Sequence, residues 1–561
     1  MGRLAGAFLI FLGRSANAQS APVAAADPPE PAVPDDLARL VLDTGRSPVK
    51  PPEPGLIRFS LNGEYQLRYE SLRGFPLDVS TAVANQKPGA IEDSTGQKNF
   101  AYHWLRLTPR LQLREEVQIV AQLDVVSGMV LGDLAHDTFA DNTPRDNYDG
   151  FRNIQGRWLY AELKTNIGVF RVGQQPSHWG MGILANDGDH PSLFGDYRYG
   201  DISERMLFAT KPLGKDSPLT VAIAGDLVFH DQNADLSRGD QAFQGVLAAF
   251  LEEGPNQLGI YAAYRNQTNN KTSGSNVFTY EDRLEVLALD AAAKFAAPVP
   301  GNPNAFVFGA AEAALVVGST NLERTQDQAR NGNDTSVRSY GGAAQLGIVH
   351  RRKGPATTSY GEKDPAHFGD LVGTVEVGYA SGDADPYDGT EKRFTFNSNH
   401  KVGLLLFDEV MRFQTARAAS AAQDPLLSNA NRPTPGVQQL SSNGAVFGAQ
   451  YINPTVVYRP RYWLDFKGGM VVAQTTADYV DPYRLATKGA YTNYRGGDPA
   501  KHDLGVELDA GFEARIPLQY KITLMLGAQG GVLFPGGALA NETGEKMKTP
   551  WLAVGRLGLI F

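Results

Sequence analysis

The 561-residue chain has no cysteine, so no disulfide staples its fold, and that absence leaves the compartment open. No stretch beyond the amino terminus approaches the roughly 18 consecutive apolar residues of a membrane-spanning helix, which excludes a helical bundle in lipid. Basic residues are outnumbered, with 52 Lys and Arg against 61 Asp and Glu for a formal charge of −9. A general nucleic-acid binder would carry a clustered basic excess, so no nucleic-acid partner is expected. Nine histidines are scattered without an H-E-x-x-H pair, and G-x-S-x-G is missing too. No enzyme, catalytic residue or cofactor is therefore expected. What the chain does have is 60 Gly, 22 Tyr and 27 Phe beside only 8 Met, the balance of a protein rich in strands and turns.

The first residues, MGRLAGAFLIFLGRSANAQS, hold an Arg, a short apolar run from Leu4 to Leu12, and Ala16-Asn17-Ala18 before Gln19. This is the layout of a secretory signal peptide over residues 1–18, and it implies export. Residues 19–54 are rich in Ala, Pro and Asp and read as an extended periplasmic tether. No plug domain precedes the first strand, so energised uptake is not expected.

From Gly55 onward another pattern takes over. In IRFSLNGEYQLRYE, Ile57, Phe59, Leu61, Gly63, Tyr65, Leu67 and Tyr69 hold one parity, and polar residues hold the other. Only a strand puts the two sets on opposite faces, because successive side chains alternate. The pattern recurs in HWLRLTPRLQLRE and in DLGVELDAGFEARI, where Leu504, Val506, Leu508, Phe512 and Ile516 share the oily parity. Counted to the last residue it yields strands near 57–70, 102–115, 117–129, 155–165, 167–176, 204–211, 218–230, 242–252, 256–267, 284–296, 305–318, 337–350, 368–380, 444–459, 461–475, 503–516, 519–533 and 550–561.

Connections after even-numbered strands are mostly tight, and those after odd-numbered strands are long and polar, with 351–367 as the exception. Short turns on one side and long loops on the other, with an even strand number, describe an outer-membrane barrel. The expected fold is thus all-β: a closed antiparallel transmembrane β-barrel of about 18 strands over residues 55–561, with long extracellular loops. A soluble sandwich would also alternate, but Phe59, Tyr69, Tyr458, Tyr462, Tyr520, Trp551 and Phe561 stand at strand ends on the oily parity, where interface girdles belong. The oily parity would face lipid and lipopolysaccharide, and the polar parity an aqueous lumen. The last residues, GRLGLIF, resemble the final-strand signal read by the barrel-assembly machinery.

On that reading the pore lining includes Arg58 and Arg68 of the first strand, Arg106, Arg110 and Arg114 of the second, Arg171, and an acidic set of Asp503, Glu507, Asp509 and Glu513. Arginines in a low-dielectric wall guide carboxylates or phosphates; paired with lumen carboxylates they brace the wall instead. The basic and acidic sectors lie about four strands apart once the sheet closes, near enough to neutralise each other. Residues 175–201 form a candidate constriction loop, with Trp179, Met181, Leu184, Phe194 and Tyr197 to pack inside and His178, Asn186, Asp187 and Asp189 to line the narrowing. An ordinary extracellular loop is the alternative. A long loop, 382–443, spaces Val402, Leu405, Leu406, Val410 and Phe413 at helical intervals, so a helix over 401–422 would plug the lumen or pack on the loop tops. Asp383, Asp385 and Asp388-Gly389 resemble a calcium loop, but the spacing departs from the motif and no metal is expected.

YAELKTNIGVFRVGQQPSHWGMGIL is similar to the strand-turn-strand of alginate-export-type and related porin-like barrels, and GYASGDADPYDGTEKRFTF resembles a later stretch of the same kind. Both resemble more closely an uncharacterised group of myxobacterial predicted outer-membrane proteins. The resemblance implies an 18-stranded channel in the outer membrane for solutes or a secreted polysaccharide. Passage of a polyanion favours a predominantly basic pore, whereas these lumen charges are mixed. The expected function is therefore a porin for passive diffusion of small hydrophilic solutes, narrowed by inward loops. Polysaccharide export, a hydrophobic-substrate channel, and a closed structural or adhesion barrel remain alternatives.

Overall fold

The computed structural model describes residues 57–76, 95–132, 154–272, 279–321, 331–350, 371–415 and 442–561, apart from 115, 197, 386–387, 462, 482–483, 486–488 and 520–521. The signal peptide, the tether, the 351–367 connection, Tyr197, Tyr462, Tyr520 and residues 416–422 lie outside the described residues.

Nineteen strands are found in this set: β1 (Ile57–Pro76), β2 (Thr95–Leu113), β3 (Val117–Gly132), β4 (Gln155–Lys164), β5 (Val169–Pro176), β6 (Ile202–Thr210), β7 (Leu219–His230), β8 (Asp240–Glu253), β9 (Asn256–Thr272), β10 (Thr279–Val299), β11 (Asn302–Thr320), β12 (Thr335–His350), β13 (Leu371–Ala380), β14 (Thr390–Glu391), β15 (Ala449–Arg461), β16 (Leu464–Thr475), β17 (Asp503–Pro517), β18 (Thr523–Pro535) and β19 (Trp551–Ile560). Each pairs antiparallel with the next along the chain, except that the two-residue β14 adds in parallel to β12 while β13 pairs directly with β15. Strand β19 then pairs with β1, from Glu64↔Ile560 to Arg73↔Trp551, and closes an 18-stranded barrel. The closure is finished by the terminal residue, since Gly63 and Phe561 exchange backbone hydrogen bonds of 2.8 and 2.9 Å. Closing leaves no sheet edge unpaired, which hydrocarbon would not tolerate.

Which face is which follows from β1. Phe59 is 68% exposed, Leu61 46% and Tyr69 50%, whereas Glu64, Arg68 and Glu70 are at most 6% exposed. A water-soluble barrel would show the reverse, since leaving a large apolar side chain in water forgoes about 1.5–3 kcal/mol of burial. The exterior is that of a transmembrane barrel, and aromatic side chains band it. Phe170 and Phe208, 4.6 Å apart, sit with Tyr458 towards the short turns, and the stacked Tyr340 and Tyr379 towards the long loops.

Turn chemistry fits this plan. Between β10 and β11, Pro300 presets its own backbone and Gly301 supplies the positive φ of 76°. One local feature departs from strict alternation. Ala473 pairs with Gly505 but Gln474 pairs with Asp503, so Leu504 is an extra residue in a bulge, and Gly505 takes a φ of 119°. The bulge reverses parity, so Leu504, expected to face lipid, is fully buried inside the barrel.

Candidate functional site

The segment between β5 and β6 turns into the lumen. Its neck is closed by the Ser177 N–H on the Asp201 carbonyl (2.9 Å), and its apolar residues Ile183 and Phe194 are buried. Backbone carried into a barrel must find partners there, and the polar parity of the wall supplies them. Glu312 on β11 accepts from the N–H groups of Met181 and Ile183. Lys467 on β16 donates to the Leu193 carbonyl (2.7 Å), Gln529 on β18 to Phe194 (2.9 Å) and Arg556 on β19 to Gly195 (3.1 Å). Across the lumen Arg157 on β4 donates to the carbonyls of Asp187 (2.7 Å) and Tyr199 (3.0 Å). Arg106 grips Asp124 through two bonds of 2.7 and 3.0 Å and reaches Asp189 at 2.6 Å, which Arg157 also meets at 3.1 Å. The segment therefore spans the bore from one wall to the other.

The described residues of 381–415 and 442–448 supply a second inward mass. Val402, Leu405, Leu406, Phe407, Val410 and Phe413 are buried in one apolar cluster with Ile183 and Phe194 of the first segment and with inward residues of β15–β19. The helix expected over 401–422 starts only at 409, and 409–415 is its described part. The preceding N–H groups are taken by the wall, because Glu507 on β17 accepts from Leu404 (2.5 Å), Leu405 (2.8 Å) and Leu406 (2.6 Å) instead of leaving them to a helical ladder. Asp408 ties the two segments, bonding Arg198 at 2.9 Å and Lys401 at 3.0 Å and pairing with Arg412. Lys401 is pulled down to about 7 by burial and by Arg198, with Asp408 opposing. His400 bonds the Met181 carbonyl (3.1 Å) and Glu376 of β13 (3.2 Å). Burial lowers its pKa, but the Glu376 hydrogen bond and charge outweigh this and hold it above the ordinary histidine range.

The residues expected to line the pore divide by depth. Arg68, Arg106, Glu507 and Asp509 are buried against the inward segments, and Arg68 bridges Glu70 (2.8 Å) and Asp196. Arg58 is half-buried, Arg171 pairs with Glu162 at 2.5 Å, and Glu513 lies 3.6 Å from Arg515. Arg110 is exposed, towards the short turns. Arg114 is not on the wall: it occupies the β2–β3 turn with a φ of 54°. Asp503 is exposed at the first residue of β17, on the far side of the bulge from Glu507 and Asp509. Arg68, Arg106, Arg171 and Glu507 are matched by neighbouring side chains or by the inward backbone, whereas Asp509 is buried with neither carboxylate oxygen hydrogen-bonded among the described residues. Within the candidate constriction, Trp179 donates to Asp290 (3.0 Å) and lies 5.3 Å from the Tyr261 ring. Asn186 is buried and its side chain accepts from the Gly188 N–H (2.9 Å). His178 is shifted down to about 4 by burial, while Asp187 stays below the usual carboxylate range because the His190 hydrogen bond and the histidine charges outweigh its burial. Asp383 and Asp388, the acidic tip, hold Lys392 through its backbone N–H (2.9 Å) and its ammonium group.

Beside these masses a cavity of about 900 Å³ opens towards the long loops, lined by β6–β12 and by both inward segments. Its polar groups are of both signs: Arg198, Arg265, Arg393, Asp231, Asp235 and Glu391. Arg265 pairs with Asp231 at 2.5 Å.

Alternation alone did not single out Arg157, Glu312, Glu376 or Asp290. For Glu312, Glu376 and Asp290 the signal was one charge within a run of small or apolar residues, as in GAAEAAL, TVEVG and LALDAAA; Arg157 carried none. No protein-family model matches this sequence, and no curated protein matches it. Solved structures with a similar course include OccK5 (OpdH) of Pseudomonas aeruginosa (9% identity, TM-score 0.43, 89% of this chain and 97% of that one). A BenF-like porin from Pseudomonas fluorescens Pf-5 gives 8% identity and a TM-score of 0.46 over 90% and 99%. OccAB2 of Acinetobacter baumannii gives 11% and 0.43 over 89% and 98%. These likenesses are too remote to add to what the closed strand order establishes.

Proposed function

We propose that the protein is an outer-membrane channel for small hydrophilic solutes, passive and narrowed by its two inward segments. The observation that carries this reading is the cavity of about 900 Å³ left along β6–β12 inside a barrel whose outside is apolar and whose inside is charged. A lumen wall of both signs suits polar solutes without a strong preference for one charge. The fixed inward mass, hydrogen-bonded to opposite walls, obstructs a wide polymer path, so the polysaccharide-export reading ranks second. Lipid and lipopolysaccharide contact the exterior, and β19 with the terminal Phe561 that follows it is the segment offered to the assembly machinery.

Purified protein in a planar bilayer is expected to give discrete conductance steps that fall when neutral sugars or uronates are added. Insertion without steps above the lipid background would instead support the closed structural barrel.

A further inference from the structure

The inward segment between β5 and β6 brings together three side chains with metal-ligating atoms. His178, Asp187 and His190 each offer one ligand atom, and all three atoms lie within 4.8 Å of one another. The Nδ1 of His190 is 2.9 Å from Asp187 Oδ1 and that of His178 is 3.8 Å from the same oxygen. The two imidazoles stack with centroids 4.1 Å apart. His178 Nδ1 is enclosed and has no hydrogen-bond partner among the described residues, so a buried ligand atom points at the carboxylate without using it.

We propose that His178, Asp187 and His190 form a binding site for a divalent transition-metal ion such as Zn²⁺ or Ni²⁺. Two imidazoles and one carboxylate are a borderline donor set that favours such ions over Ca²⁺ or Mg²⁺, which take oxygen. Around a tetrahedral ion with bonds of about 2.0–2.1 Å, neighbouring ligand atoms stand about 3.3 Å apart. The observed 2.9 and 3.8 Å from the Asp187 oxygen bracket that spacing, and the two imidazoles would turn out of their 4.1 Å stack to aim both nitrogens at the ion.

The carboxylate is already oriented, because Asp187 Oδ1 accepts the Asp189 N–H at 2.9 Å and Arg157 holds the Asp187 carbonyl at 2.7 Å. Outer contacts of this kind fix ligands before the ion arrives. The side chain of His190 is 42% exposed and that of His178 23%, which leaves an approach from water and room for a water ligand. The other charges beside the site are of both signs: Arg157 on the Asp187 carbonyl, Lys294 near His178, and Asp189 beside Asp187. A bound ion would clip residue 178 to residues 187–190 and so fasten the two limbs of the inward segment. This holds whether or not the barrel conducts.

The test is direct metal binding to chelator-treated, tag-free full-length protein in detergent, by titration with Zn²⁺ or Ni²⁺ against a chromogenic chelator. One ion per chain is expected. His178→Ala and His190→Ala should each weaken binding by more than the roughly ten- to hundredfold that loss of an outer-shell contact costs. His190 is half in solvent, so its variant keeps the fold, and unchanged strand circular dichroism checks this. Visible absorption of bound Co²⁺ should show nitrogen ligation that disappears in both variants. No stoichiometric binding by the native chain, or binding that survives in His190→Ala at native affinity, would overturn the proposal.

Discussion

The two halves of the lumen are built from the same alternating strands and filled differently. Along β15–β19 and the adjoining β1 and β2, inward residues such as Leu72, Phe100, Val471, Leu504 and Leu533 are buried against the 402–413 stretch. Along β6–β12 the inward positions include small residues such as Ala263 and Ala288, and many line the cavity. The difference teaches that an inward face is not simply a wet face. Where a wall carries oily residues on its inner parity, it recruits a returning loop as its core; where it carries small and polar ones, space remains. Charged wall residues anchor inward backbone in both halves, as Glu507 and Glu312 do, and in the β6–β12 half others also line the cavity.

The largest effect is expected from Glu507→Ala. It strands three buried N–H groups, each worth about 1–3 kcal/mol when left unpaired, and should unseat the packed half. Thermal scans should show a clear loss of stability, with larger and noisier conductance steps. Next, overfilling each half should separate the two. Val471→Trp, placed in the packed cluster, should cost about 1–3 kcal/mol in stability, whereas Gln244→Trp, facing the cavity, should leave the melting temperature nearly unchanged and cut conductance. Equal effects at the two sites would erase the distinction.

A smaller effect is expected from pH. The folded pKa of His400 stands above its unfolded value of about 6.5, so its bond to Glu376 contributes fully below that pH and is lost as pH rises through the raised value. The stability difference made by His400→Gln should therefore shrink on the alkaline side. Lys401 runs the other way, since its folded value near 7 lies below its unfolded one, and it is coupled to His400, so the comparison is made in a Lys401→Met background. A gap that widened with rising pH would contradict the assignment. The smallest effect belongs to Arg110→Ala, an exposed position, where only a modest change in ion preference is expected at low salt.

Much of this architecture was legible in residue order. Period-two alternation placed all eighteen barrel strands, because the lipid on one face and the polar lumen on the other enforce it at nearly every position. The oily side chains of the 175–201 loop, Trp179, Met181, Leu184 and Phe194 among them, raised an inward fold beside the alternative of an ordinary extracellular loop, and the sequence alone did not choose between them. What could not be read was pairing at a distance. The bulge at Gly505 depends on how β16 meets β17, and the late start of the helix at 409 depends on a carboxylate nearly a hundred residues on, Glu507. Helical spacing at 402–413 was real as a pattern, but a wall acceptor took the N–H groups first. Likewise the sequence left Arg106 as either open pore lining or a brace, and only the fold supplied Asp124 and Asp189 as its partners.

The absence of cysteine makes the central claim directly measurable by thiol labelling. Single replacements Gln244→Cys and Ala473→Cys, in protein assembled in lipid vesicles, would be exposed to a membrane-impermeant thiol reagent added from water. Both side chains face inward, one on the cavity and one in the packed cluster. The account predicts rapid modification at 244 and protection at 473; protection at 244, or equal rates at the two, would contradict it.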